Sequence, residues 1–471
     1  MKRGQTAVIN LGAKLLMSVA GFAANWYIAR ELGSEVLGTY VLILSVLAWV
    51  VIGGSAGIPI AIKKRVSEAR TKGGYLTSGL VLQASVLVLF IGLAIAFRGQ
   101  LHSYLGVDVL PFFIGMLFLR TCYVFVVTVL DGQQKVHISS LLDPLDLTVR
   151  SGAQIIAITL GLSLVGLLWG YLIAGVVTVV VGTWFVKFEA ARPTKEHIVD
   201  LLSYARYAWV GAIKGRTFTS MDTIVLGFFV AKGFIGVYEI AWNVASLFAI
   251  FGASISRTLF PEMSSLSSQG ETERVGELVE AALAYAGLFL IPGLAGAAIV
   301  GDTVLSIYGQ EFVKGYTVLL ILIGARLLYA YEMQFTNAID ALNRPDVTFR
   351  ITTTFVALNV GLNVVFIWQY GWIGAAVATA LSSGVAAAIG YKALSQYVEF
   401  EFPLVEVGRQ VVSAAIMAGT VFAGVTVFGK SLFAVIPLVF VGAAIYTTSV
   451  FILSSQFRKT IIDNLPSRIT S

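Results

Sequence analysis

The sequence predicts an all-α polytopic membrane protein of about fourteen transmembrane helices, in two pseudo-symmetric six-helix lobes plus two extra C-terminal helices. Three observations predict it. Of the 471 residues, 57% are hydrophobic and 12% charged, whereas a soluble domain carries about 25% charge. Apolar runs of about 20 residues, enough to cross a bilayer as a helix, recur along the whole chain. The Lys and Arg residues between them fall unevenly on alternate sides, and the pattern of the first six runs returns in the next six.

The runs lie near 8–28, 36–58, 77–97, 110–130, 147–164, 166–187, 207–230, 234–257, 278–300, 315–337, 349–368, 371–394, 407–428 and 433–454. The fifth and sixth share a short turn near Ser163, and the eleventh and twelfth share one near Tyr370 and Gly371, so both pairs are expected as tight hairpins. With the N-terminus placed in the cytoplasm, the even-numbered connections and both termini carry about 22 Lys and Arg, and the opposite side about 5. The first set includes Lys63, Lys64, Arg65, Lys187 and Arg458; the second is Arg30, Arg98, Lys232, Lys314 and Lys430. That asymmetry predicts a multi-pass protein of the cell membrane with both termini cytoplasmic. Met1-Lys2-Arg3 leads into an apolar run without a small-residue cleavage site, so no cleavable signal is expected.

The repeat is carried by short echoes. LGSEVLGTY (Leu32 to Tyr40) near the second run matches VAKGFIGVY (Val230 to Tyr238) near the eighth, with Gly38 and Tyr40 on Gly236 and Tyr238. DGQQKV (Asp131 to Val136) after the fourth matches DALNRPDV (Asp340 to Val347) after the tenth. Both halves start on the same side, so the repeat is parallel, about an axis along the membrane normal. The expected domains are a six-helix lobe at 1–188, a cytoplasmic interfacial linker at 189–206, a second lobe at 207–395, and two extra helices with a tail at 396–471. Within the linker, Pro193 opens a short amphipathic helix with Ile198, Leu201 and Leu202 on one face and Lys195, Glu196 and Asp200 on the other.

Several functional classes are excluded. Cys122 is the single cysteine, so there is no internal disulfide and no multi-cysteine metal site. His102, His137 and His197 lie far apart, without ligand spacing, and no metal or cofactor is expected. The formal charge of +6 is dispersed between the runs and offers no groove to nucleic acid. No nucleophile elbow, zinc-protease, Walker A or paired-aspartate motif is present, which argues against an enzyme.

The informative residues are the ionisable ones inside the runs. The seventh, YAWVGAIKGRTFTSMDTIVLGFFV, holds Lys214, Arg216 and Asp222. Each such charge near the bilayer centre costs roughly 2.5–3.5 kcal/mol on insertion scales. The first run places Asn10, Lys14, Ser18, Gly21 and Asn25 on one helical face, and the repeat aligns Lys14 close to Lys214. Arg120 lies in the fourth run, Arg326 and Glu332 in the tenth, and Glu239 near one end of the eighth. The cations Lys14, Arg120, Lys214, Arg216 and Arg326 outnumber Asp222 and Glu332, a surplus that a phosphate-bearing substrate would balance. The candidate substrate-binding residues are therefore Lys14, Asn25, Lys214, Arg216, Asp222, Arg120 and Arg326. The competing structural readings are snorkelling lysines, an internal Arg216–Asp222 pair, and interhelical hydrogen bonding by Asn359 and Asn363.

LG-x-E-x-x-G-x-Y after the first run, Asp222 to Gly227 leading into FIGVY, YGQEFVKGY (Tyr308 to Tyr316), the Asp-Ala-Leu-Asn-Arg-Pro loop and YGWIGAAVATALSS (Tyr370 to Ser383) resemble a known family. It is the polysaccharide-transporter branch of the multidrug/oligosaccharidyl-lipid/polysaccharide exporter superfamily, nearest the O-antigen-type oligosaccharide flippases. The resemblance covers the first twelve runs. It implies two six-helix lobes in a V, alternating access, and transfer of a polyprenyl- or dolichyl-linked oligosaccharide from the inner to the outer leaflet. It also implies a cationic central cavity, which maps onto Lys14, Lys214 and Arg216. The expected partners are the lipid-linked oligosaccharide, membrane lipids and other glycan-assembly proteins. The rival readings are a cation-coupled multidrug exporter of the same superfamily, a membrane-embedded glycan enzyme, and a scaffold.

Overall fold

The computed structural model describes residues 3–458 apart from 56, 69–71 and 209; for the helical residues 3–20, 206–212 and 250–258 only the backbone course is described. The described residues are helical with loops, and the chain divides into two compact units, Met1–Gly236 and Val237–Ser471.

In the first unit α1 (Arg3–Ser55) covers the first two expected runs, broken at Gly33. That residue has φ 75° and ψ 176°, a conformation glycine adopts without a Cβ clash. Then come α2 (Ile58–Glu68), α3 (Gly73–Ala96), α4 (Arg98–Leu105), α5 (Leu110–Gly132), α6 (Val136–Thr159), α7 (Leu164–Phe185), α8 (Lys195–Ala208) and α9 (Val210–Phe229). The unit ends in the first turns of α10 (Lys232–Leu247). Amphipathic α8 falls at the expected short helix after Pro193, inside the first unit. Its Leu201 and Ala205 are buried with Ile62 and Val66 of α2, Leu76 of α3 and Val129 of α5. Leu202, expected on the same face, is instead 45% exposed, because adjacent residues on a helix point about 100° apart. Polar contacts reinforce the docking. Arg65 pairs with Asp200 at 2.6 Å, Tyr75 donates to the same carboxylate at 3.1 Å, and the rings of Tyr75 and His197 lie 4.5 Å apart.

The second unit holds α11 (Ile250–Ser268), α12 (Thr272–Ala286), α13 (Leu290–Ser306), a 3-10 turn (Gln310–Gly315), α14 (Tyr316–Ala341), α15 (Pro345–Tyr370), α16 (Trp372–Leu394), α17 (Leu404–Phe428) and α18 (Leu432–Leu453). The two extra helices α17 and α18 bury Met417, Val421 and Tyr446 against Leu288 and Val300. The Tyr446 hydroxyl donates to the Leu288 carbonyl at 2.7 Å, and Gln410 donates to that of Ala284 at 2.6 Å. Between α15 and α16 the expected tight hairpin is a one-residue turn at Gly371, φ 61°, and Gly374 lies against the Phe366 carbonyl.

The internal repeat has a structural counterpart in each unit. Among the described residues the non-glycines with positive φ are Gln134 (60°) and Asn343 (57°), at matching places in the DGQQKV and DALNRPDV loops. The next residue is a cation near a helix end in both cases. Lys135 donates to the Phe185 carbonyl at 2.6 Å, and the Arg344 guanidinium lies 4.6 Å from the Tyr397 ring.

Ten helical stretches among the described residues are long and apolar enough to cross a membrane, fewer than the expected count of fourteen. The expected fifth and seventh runs fall short of this threshold. The corresponding α6 and α9 carry Asp143, Asp146 and Arg150, and Lys214, Arg216 and Asp222 respectively. The first two runs lie within α1, on either side of its kink at Gly33, and the eighth is split between α10 and α11.

Candidate functional site

Arg216 of α9 meets the charges on α6. Within the first unit a cavity of about 490 Å³ is lined from α1, α5, α6, α7 and α9. Its volume is within the range of about 300–1,000 Å³ usual for small-molecule sites. Leu44, Leu47 and Val51 of α1 form an apolar wall. Opposite them stand three guanidiniums, Arg120, Arg150 and Arg216, two carboxylates, Asp143 and Asp146, and Tyr171.

Local sequence accounts for the arrangement. Asp143, Asp146 and Arg150 are spaced three and four residues apart on α6, which puts them on one helical face. Asp146 and Arg150 form an ion pair at 3.3 Å, and the Arg150 guanidinium lies 5.3 Å from the Tyr171 ring. One turn further along, Gln154 donates to the Tyr40 hydroxyl at 2.7 Å and to the Leu167 carbonyl at 3.0 Å, tying α6 to α1 and α7. On α5, the Arg120 guanidinium lies 4.6 Å from the Tyr123 ring, whose hydroxyl donates to Asp143. Arg216 donates to Ser220 on its own helix at 3.3 Å. Aromatic faces, an ion pair and one hydrogen bond hold the guanidiniums while leaving donor N–H groups for a ligand. Such a set is chemically suited to a phosphate, which guanidinium forks bind through charge-assisted hydrogen bonds.

Of the expected site residues, the structure brings Arg120 and Arg216 into this cavity. Asn25 and Lys214 are half-buried on α1 and α9, and Asp222 is 4% exposed; none of the three lines it. The side chain of Lys14 lies outside the described residues. Arg326 belongs to the second unit, where its guanidinium is 4.0 Å from the Trp242 ring and donates to the Ser246 hydroxyl. Sequence reading missed Arg150, Asp143, Asp146 and Tyr171. The expected fifth run begins at 147, whereas α6 begins at Val136, so Asp143 and Asp146 fall in an expected loop, while Arg150 lies inside the run and is passed over. The three-and-four spacing was the signal that could have found them. Among the described residues no three His, Cys, Asp or Glu side chains converge as a metal would require.

A second polar cluster is fully interior to the second unit. Asn359 on α15 donates to Thr379 at 3.2 Å and to Ser382 at 3.1 Å, both on α16, and Asn363 donates to the Asn359 carbonyl at 2.9 Å. This is interhelical hydrogen bonding of the kind that fastens helices in lipid.

Comparison with known proteins gives a consistent placement. The model of a family described as polysaccharide biosynthesis protein matches residues 4–267. Two relatives come from Haloferax volcanii. The probable low-salt glycan biosynthesis flippase Agl15 is 30% identical over 446 residues, 94% of each chain. The probable flippase AglR is 30% identical over 467 residues, 98% of each chain. Among solved structures, the lipid II flippase MurJ in an inward closed conformation superposes with a TM-score of 0.82 over 97% of this chain and 100% of that one, at 16% identity, a likeness of fold alone. With more than half its length matched by the family model and relatives at 30% identity along nearly all of it, the chain belongs to the polysaccharide biosynthesis protein family of multi-pass membrane proteins.

Proposed function

We propose that this protein is a flippase that moves a polyprenyl- or dolichyl-linked oligosaccharide, carried on a phosphate or pyrophosphate, from the cytoplasmic to the outer leaflet by alternating access. The observation that carries this reading is the cavity with three guanidiniums against two carboxylates, set among helices of a membrane protein. A cationic surplus in a site of restricted water access attracts and orders a phosphate group. The relatives' names as flippases, one of them in glycan biosynthesis, support the same cargo here. Arg120, Arg150 and Arg216 hold the phosphate, with Lys14, Lys214, Asn25 and Asp222 of the same unit along the route of the headgroup. The lipid tail stays in the bilayer.

The Lys and Arg asymmetry supports a cell-membrane protein with both termini cytoplasmic. In that orientation outward movement of an anion from a negative-inside cell gains about 2.3 kcal/mol per charge per 100 mV. The protein performs no covalent chemistry in this reading and works beside other glycan-assembly proteins. A cation-coupled multidrug exporter would want carboxylates in excess to hold cations, the reverse of this cavity.

Reconstitution into liposomes tests the choice. A fluorescent lipid-linked oligosaccharide should become accessible to an external glycosidase faster than in protein-free vesicles, with no efflux of a cationic dye. Dye efflux without glycan exposure would establish the exporter instead.

A further inference from the structure

The guanidiniums of the cavity are held in different ways. Arg150 has a carboxylate in reach, Asp146 one turn earlier on the same helix at 3.3 Å. Both side chains face the cavity and keep part of their surface open, 22% for Arg150 and 18% for Asp146. Among the described residues Arg120 and Arg216 have no carboxylate within 4.0 Å; one leans on the Tyr123 ring and the other donates to Ser220. The second carboxylate of the cavity, Asp143, accepts the Tyr123 hydroxyl.

An ion pair on consecutive turns with water access is close to energetic break-even, because attraction is offset by desolvation and side-chain ordering. Exchanging its carboxylate for another anion therefore costs little. A transport site must also release what it binds, and three guanidiniums without an internal anion would hold a phosphate too firmly. We propose that Asp146 is a built-in competitor for the phosphate, occupying Arg150 in the empty cavity, yielding it when the substrate arrives and reclaiming it on release. The proposal rests on the reading of this cavity as the phosphate site of a flippase. It makes Asp146 a residue that sets affinity without touching the substrate. A carboxylate that merely oriented Arg150 for binding would act in the opposite direction.

The test is isothermal titration of geranylgeranyl pyrophosphate into the full chain in nanodiscs. Asp146→Asn removes the competitor and should bind about tenfold tighter than wild type, about 1.4 kcal/mol, while the flipping rate falls because release slows. Arg150→Gln leaves the Asp146 carboxylate facing the phosphate and should bind about tenfold more weakly. The double variant Asp146→Asn/Arg150→Gln should recover most of that loss. Asp146→Ser, which removes the same charge, replaces Asp146→Asn should the latter fail to fold. Binding that is unchanged or weaker in a folded Asp146 variant overturns the proposal, as does a double variant no tighter than Arg150→Gln. The parent reading fails separately: if Arg120→Gln and Arg216→Gln both bind like wild type, the cavity is not the phosphate site. If those two weaken binding and Asp146→Asn does not tighten it, the site stands and only the competitor role falls.

Discussion

Arg120 on α5 and Arg216 on α9 line the same cavity, although three helices, α6, α7 and α8, separate them along the chain. Like charges confined to one cavity repel each other, and the carboxylates of α6 offset part of that cost in the empty state. A bound anion completes the compensation. Geranylgeranyl pyrophosphate should therefore raise the thermal midpoint of the purified protein. The stabilisation should reach about 2.7 kcal/mol at a concentration of 100 times Kd. The midpoint of an Arg120→Gln/Arg216→Gln variant should respond far less. A midpoint in wild type that ignores the ligand would count against anion binding in the cavity.

The glycines matched by the sequence repeat face each other in the first unit. A Cβ on Gly38 would stand 1.9 Å from the Lys232 carbonyl oxygen, and one on Gly236 2.1 Å from that of Ser34. Both obstacles are backbone, so no rotamer change relieves them. Gly38→Ala and Gly236→Ala should each cost about 3 kcal/mol, the upper end of overpacking penalties, or fail to accumulate. The measurement is detergent-resistant folded protein by size-exclusion fluorescence. Wild-type yield and midpoint in either variant would show that the close approach is not required.

Asn359 is fully buried and bridges α15 to α16 through Thr379 and Ser382. In lipid such bonds are worth about 0.6–1.7 kcal/mol each. Asn359→Leu should lower stability by about 1–3 kcal/mol through these losses and the change in side-chain shape. A double-mutant cycle of Asn359→Ala with Ser382→Ala should return a coupling of about 0.6 kcal/mol. Zero coupling would make the cluster incidental.

The pair of Arg65 and Asp200, at 29% and 27% side-chain exposure, holds α8 to α2. Exposure of that order screens the attraction, so the cycle of Arg65→Ala with Asp200→Ala should give about 1 kcal/mol or less. Leu201→Ala, from a fully covered side chain in the same contact, should cost about 2–5 kcal/mol. Apolar burial rather than the ion pair then anchors α8. The reverse order of effects would contradict this assignment.

Much of the fold was legible because lipid imposes a simple rule: apolar runs become helices. The repeat was legible through short motifs, and its loops reappear as the left-handed pair Gln134 and Asn343. The cavity was legible only in part. Arg120 and Arg216 stood out because charge within an apolar run is costly, whereas Asp143 and Asp146 sit on a stretch polar enough to pass for the end of a loop, and Arg150 sits just inside the expected run, where it reads as an end-of-helix cation. Tyr171 lies in an apolar run where nothing local marks it as facing guanidinium. Arg326 shows the remaining difficulty. Its partner Trp242 comes from another helix, and only tertiary packing reveals that the pair stacks.

In the proposed function the guanidiniums of the first unit's cavity carry the phosphate of a lipid-linked oligosaccharide across the membrane. The most direct measurement is the initial flipping rate in proteoliposomes of the Arg120→Gln/Arg216→Gln variant, at equal folded protein, against wild type. The account predicts a fall of at least about tenfold, the loss of roughly 1.4 kcal/mol of substrate stabilisation. Wild-type flipping by that variant would contradict it.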